Sequence, residues 1–257
     1  MYNLFWSSET AVIVVLGLPT LLYLVAASRK KTPPIQYLSE TIANYSLFNS
    51  LYSIFLSMAL VTLLINFYTV QDDTRKESEA MISMARLLNG LSDAQGLKTR
   101  LVAYAKAVVE YDLPALKEGR MSPQASDAFD ALWNAAYKVA LTAKNEEAIH
   151  HLVLEDLSDM TKCRLTRRIK ATENLHPMIF SLIVVGYYVM LIKTWLTRVP
   201  NRKTQLAFEL PMFVMILLVI TAIIDLNTPF VGIVNIDVSA FDFALQRVTA
   251  LSGQPRP

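Results

Sequence analysis

The chain has 257 residues, of which 53% are hydrophobic and 18% charged, and its formal net charge is +2, with a mean hydropathy of +0.35. That is too apolar for an ordinary water-soluble domain of this size and too weakly basic for a nucleic-acid partner, so the expected class is an integral membrane protein. Seven glycines offer no persuasive phosphate-cradling loop, and a single cysteine, Cys163, excludes an intrachain disulfide and a Cys-based metal site.

The N-terminal stretch MYNLFWSSETAV lacks a basic n-region, so the apolar run AVIVVLGLPTLLYLVAAS, residues 11 to 28, reads as a retained first span. Pro19 is tolerated there because packed neighbours satisfy the carbonyl it frees. A second span covers about residues 47 to 70, LFNSLYSIFLSMALVTLLINFYTV. Within it Asn49, Ser50, Ser53 and Ser57, preceded by Ser46, recur at steps of three and four and so share one helical stripe. Such a stripe suits a pore lining or the close approach of two helices. Thr62 and Asn66 extend polarity towards the far end.

Residues 71 to 176 have an ordinary soluble composition and a helical pattern throughout. Ala80, Met81, Met84, Leu87, Leu88 and Leu91 mark a first helical face over residues 74 to 91. Leu101, Tyr104, Ala105, Val108 and Val109 mark a second, which Pro114 is expected to interrupt. Ser122 followed by Pro123 is a clear helix start, with Ser122 as the N-cap. A last helix is expected from about residue 145 to His176 and Pro177. Within it Glu146, Glu147, His150 and His151 have the spacing of a two-ligand metal half-site, but no third ligand converges on them, and pairs on a solvated surface explain them. The basic cluster Lys162, Arg164, Arg167, Arg168 and Lys170 can pair with Glu155, Asp156 and Asp159.

Spans three and four follow at about residues 178 to 192 and 210 to 224. His176 marks the entrance to span three, and Glu209, before Pro211, reads as a carboxylate at the N-terminal dipole of span four. After span four, Asp225, Asn227 and Pro229 form a polar turn that stops the helix and binds loosened backbone groups. Val231 to Ile236 reads as a small strand, and Ser239 as the cap of a terminal amphipathic helix. The expected architecture is therefore an all-α membrane protein with a helical domain inserted between spans two and three. Its segments are residues 1–70, 71–176, 177–228 and 229–257.

Arg29, Lys30 and Lys31 follow span one, and Lys193, Arg198, Arg202 and Lys203 follow span three. By the positive-inside rule both short loops are cytoplasmic. The helical domain and both termini are then extracytoplasmic.

At DLNTPFVGIVNIDVSAFDFAL the chain resembles the bacterial bestrophin-like family of membrane proteins, whose members carry an acidic residue and then Pro-Phe-x-Gly after the last span. LYSIFLSMAL in span two and YAKAVVEYDLPALKEGRMSPQASDAFDALW in the inserted domain are similar to that family as well. The likeness runs from about residue 45 to 250. Members commonly show Asp-Arg-Pro-Phe where this chain has Asn227-Thr228-Pro229-Phe230, and Asp225 stands two residues before that acid's position. The resemblance implies distant kinship with pentameric anion channels of four spans per subunit, which hold their helical bulk in the cytoplasm. That arrangement opposes the orientation read from the loops.

No nucleophile set, carboxylate dyad, Walker loop or haem motif is present, so no enzyme activity and no cofactor is expected. Two functional readings remain: a homo-oligomeric ion channel or transport protein, and a non-catalytic membrane-anchored scaffold or accessory subunit of a larger membrane complex.

Overall fold

The computed structural model describes residues 16–29, 38–118, 120–172, 175–196, 202–231 and 233–253. Lys30, Lys31 and Arg198, on which the orientation partly rests, lie outside them, as does the start of the first apolar run. The elements, in chain order, are α1 Leu18–Arg29, α2 Leu38–Leu87, α3 Gln95–Ala107, a π-turn Val108–Asp112, α4 Leu113–Lys117, α5 Pro123–Ala136, α6 Lys144–Thr172, α7 Pro177–Leu196, α8 Arg202–Leu226 and α9 Ser239–Leu251. No strand occurs among the described residues. The chain divides into two compact units, residues 1–65 with 175–228 and residues 66–174 with 229–257.

α2 is one uninterrupted helix of 50 residues. At a rise of about 1.5 Å per residue it is about 75 Å long, more than twice the thickness of a hydrocarbon core of about 30 Å. The helical face read over residues 74 to 91 therefore continues the apolar helix, because nothing between Val70 and Ala80 breaks it. α2 and α8 are long and apolar enough to cross a membrane, while α7 carries a shorter apolar run, Met178–Thr194.

The first unit has an apolar core contributed by Tyr52, Leu56, Ala59 and Leu63 of α2, Ile183 and Tyr187 of α7, and Phe213 and Ile220 of α8. In lipid these side chains gain little from leaving the solvent, so fit and internal hydrogen bonds hold the helices together. Two buried hydroxyls do this: Tyr52 donates to the Ile183 carbonyl at 2.8 Å, and Tyr187 bonds the Leu16 carbonyl at 3.1 Å and the Thr20 hydroxyl. Gly186 lets the Tyr52 ring lie against α7, since a Cβ there would stand 2.3 Å from Tyr52 Cε2. The ring is held by its own hydroxyl and cannot retreat, so Gly186→Ala is expected to destabilise the first unit by about 1–3 kcal/mol. Gly90→Ala is the control, because its Cβ meets only the flexible end of Ile149. Melting of the detergent-solubilised variants measures the difference, and equal losses would contradict it.

In the second unit Ser122 caps α5, accepting from Ala125 N at 3.4 Å with Pro123 in the first turn, as its sequence requires. Pro114 does not stop its helix. The chain widens into a π-turn at Val108–Asp112, and Pro114 then occupies the first turn of α4, where its missing N–H costs nothing. The tail also departs from expectation. Val231, Ile233 and Val234 are bends, Ile236 N donates to Pro229 O at 3.1 Å, and Ser239 is the first residue of α9, its N–H donating to Asp237 Oδ1 at 2.9 Å. The small strand does not form among the described residues, because the backbone folds back on the Pro229 carbonyl instead of running extended.

Glu146 begins α6 by collecting donors rather than a metal. Its carboxylate accepts from Thr142 N at 2.7 Å, Ala143 N at 3.2 Å, and Ser92 N at 3.0 Å with Ser92 Oγ at 2.7 Å. These bonds, led by that from Thr142 N, hold its carboxyl at about 2. A depressed folded-state value contributes stability above the ordinary carboxylate range that is lost as pH falls towards about 2. Acid unfolding followed by circular dichroism should therefore begin at a higher pH in Glu146→Gln; an unchanged onset would refute the assignment.

Candidate functional site

On α2 the buried positions Tyr52, Leu56, Ala59, Leu63, Phe67 and Val70 form one face. At about 100° per residue, Ser46, Ser50, Ser53 and Ser57 fall in a second sector about 110° around from it. All four are exposed. A third sector carries Leu47, Leu51, Ile54, Met58, Val61 and Ile65, each also exposed. The serine stripe thus points away from the protomer's own core, and no helix among the described residues of the same unit buries it. Ser50 donates its hydroxyl to the Ser46 carbonyl at 3.0 Å. Asn49 sits at the border of the packed face, half-buried, and its Oδ1 is enclosed without a hydrogen bond among the described residues.

The polar turn after α8 closes on itself and on the start of α7. Asn227 N donates to Ile223 O and Ile224 O, and Thr228 N to Asp225 O, each at 3.2 Å. Asn227 Oδ1 accepts the backbone N–H of Leu175. The amide of this turn therefore holds the entrance to α7 rather than the end of its own helix. Asp225 and Pro229 are both buried. His176 starts α7: its carbonyl accepts from Ile179 N and Phe180 N, and its Nδ1 from Met178 N at 3.2 Å. Glu209 does not stand at a helix N-terminus, because α8 begins seven residues earlier, at Arg202. His150 is turned to the Ala136 carbonyl at 2.9 Å, and no group of three or more metal-binding side chains assembles among the described residues.

The second unit contains a charged cluster that its sequence pattern did not single out. Arg167 is fully buried between two fully buried carboxylates: Nη1 lies 2.7 Å from Glu77 Oε2 and Nη2 lies 2.8 Å from Asp112 Oδ2. The contact to Asp112 is an aligned hydrogen bond. That to Glu77 is an ion contact outside hydrogen-bond geometry. Glu77 Oε1 instead accepts the hydroxyl of buried Tyr104 at 2.5 Å, and Asp112 Oδ1 accepts from Ser122 N at 3.0 Å. The Phe241 ring of α9 covers the guanidinium at 4.9 Å. Arg164 lies over the Phe129 ring at 5.2 Å and donates to Ser126 Oγ at 3.0 Å.

Burial pushes the Glu77 carboxyl above the ordinary range, and Arg167 and Tyr104 only partly offset it. One guanidinium serves two carboxylates, so each is incompletely compensated. Burial works against the Arg167 cation, but Glu77, Tyr104 and Asp112 outweigh it and raise its pKa. Tyr104 is raised by burial and then by Glu77. The basic cluster thus divides: Lys162 pairs with Asp159 on the surface at 2.8 Å, whereas Arg164 and Arg167 belong to the core.

Apolar helices long enough to span a bilayer, joined to a unit of packed helices with a charged core, define an all-helical protein of the membrane class. The bestrophin-like domain model matches residues 11–241. The chain belongs to the bestrophin-like family, as the resemblance in its sequence implied. Its fold is that of a variant of a bacterial bestrophin homolog from Klebsiella pneumoniae, at a TM-score of 0.71 and 14% identity over 95% of this chain and 99% of that one. A second structure, described as a membrane protein, matches at a TM-score of 0.71 and 12% identity over 95% of this chain and 98% of that one. No curated protein sequence matches.

Proposed function

We propose that the chain forms a homo-oligomeric ion channel of four-span subunits in which copies of α2 surround a shared axis and turn the serine stripe towards it. The observation that carries this reading is the placement of Ser50, Ser53 and Ser57. They are exposed in the protomer and lie between a face committed to the chain's own core and a face of large aliphatic side chains suited to lipid or to a neighbouring copy. Hydroxyls on a wetted axis keep water in a pore without fixing an ion too tightly to leave. Membership of a family of channel homologs supports it. Purified protein reconstituted into planar bilayers should carry discrete currents under a salt gradient. Assembled particles that remain silent in every salt tested would move the chain to the accessory-subunit reading.

The loop charges support an inner-membrane protein whose helical unit is extracytoplasmic. A reporter fused after Leu251 is expected to be active only as an exported fusion. Activity of a cytoplasm-only reporter at that point would reverse the orientation and give the arrangement that the channel kinship implies.

A further inference from the structure

The buried cluster around Arg167 gathers the helices that the chain attaches to its spans. Glu77 stands on α2, continuous with span two. Arg167 stands on α6, whose last residue, Thr172, precedes the start of α7 by five positions. Phe241 stands on α9, which follows the turn after α8. We propose that Glu77 is a proton-binding site, and that its protonation relieves the excess buried negative charge beside Arg167 and so tightens the joint between α2, α6 and α9, which its deprotonation loosens. This goes beyond the channel reading and does not depend on it.

Charge and geometry carry the argument. The side chains that are wholly out of solvent comprise one cation, Arg167, and two anions, Glu77 and Asp112. Arg164, at the edge of the cluster and 9% exposed, supplies the fourth charge. With Glu77 ionised the fully buried set has an excess negative charge; with Glu77 protonated it is neutral, and Arg167 keeps its aligned bond to Asp112. Burial of an uncompensated charge is costly, so a proton is the cheapest correction available. The ion contact that protonation gives up is the weaker of the two, since the Glu77 arm lacks hydrogen-bond alignment.

The groups facing Glu77 are Tyr104 from α3, Asp112 from the π-turn, and Arg167 and Arg164 from α6. Cys163, on α6 beside them, is itself pushed up to about 11, first by burial. α9 contributes the uncharged Phe241 ring. Glu77 is raised chiefly by burial, so it takes up its proton above the ordinary carboxylate range and stabilises the fold most at low pH. That contribution fades as pH rises through its folded-state value.

Infrared difference spectra of the full chain in lipid bilayers, titrated in pH, test this directly. The wild type is expected to show a protonated-carboxyl stretch that bleaches as pH rises above the carboxylate range, and Glu77→Gln is expected to lack it. Two further variants keep the proposal falsifiable should Glu77→Gln fold poorly. Tyr104→Phe removes a donor to the carboxylate and should move the midpoint up, whereas Asp112→Asn removes a neighbouring negative charge and should move it down, each by about one pH unit. A purely structural cluster would not shift in opposite directions. Hydrogen exchange reads the joint: corrected for intrinsic rates, α9 amides should exchange faster above the midpoint than below it in the wild type. A wild type without the titrating band, a band that survives in Glu77→Gln, unmoved midpoints, or α9 exchange indifferent to pH would each overturn the proposal.

Discussion

Arg167→Leu is expected to lower the unfolding free energy of the helical unit by about 3–5 kcal/mol, because it strands two carboxylates that are buried from solvent. Removing the guanidinium leaves Glu77 and Asp112, both 0% exposed, facing each other's charge, with the Tyr104 hydroxyl and the Ser122 amide as their donors among the described residues. Glu77→Gln or Asp112→Asn is expected to cost far less, since either leaves one cation with one anion. The triple replacement Glu77→Gln, Asp112→Asn, Arg167→Met should recover much of the loss, because a neutral set of similar volume escapes the desolvation penalty that an ion triad carries. Denaturant melts of the four variants rank these outcomes. If Arg167→Leu were no worse than Glu77→Gln, the cluster would be solvated in solution and the ranking refuted.

The second large effect is expected in span two. Ser57→Leu should abolish current in reconstituted protein while leaving assembly and melting unchanged, since the hydroxyl it replaces is exposed and away from the unit's apolar core. The opposite result is equally readable. If Ser57 packs against a neighbouring copy, a leucine overpacks that contact by about 1–3 kcal/mol and appears as lost oligomer. Ser57→Cys in a Cys163→Ala background decides between them. Rapid modification by a small charged thiol reagent places the stripe on a wet axis, and protection places it in a helix contact.

The primary sequence by itself determined the membrane class and the helical character. An apolar run in a bilayer must satisfy every backbone N–H and C=O internally, so the run over residues 47 to 70 had to be helical. Local chemistry likewise placed Ser122 and Pro123 at a helix start and broke the chain at Asn227 to Pro229, because a missing N–H and a short hydroxyl act within a few residues of themselves.

What lay beyond that range only the tertiary structure decided. Phe67, Val70, Thr74, Glu77, Met81, Met84 and Leu88 recur at steps of three and four and are all buried, as are Val153, Leu157, Met160, Arg164 and Arg167. One acid and two bases therefore stand on the inward stripes of two helices, a legible signal that composition conceals. Periodicity names the face on which a residue lies, but not the group that meets it there. Glu77 and Arg167 become a core rather than a surface pair because Asp112, Tyr104 and Phe241 arrive from distant parts of the chain and exclude water. For the same reason Asn227 could be read as a helix stop but not as the acceptor for Leu175, 52 residues away. A hydrogen bond's strength is local, whereas its partner is chosen by the packing of the whole.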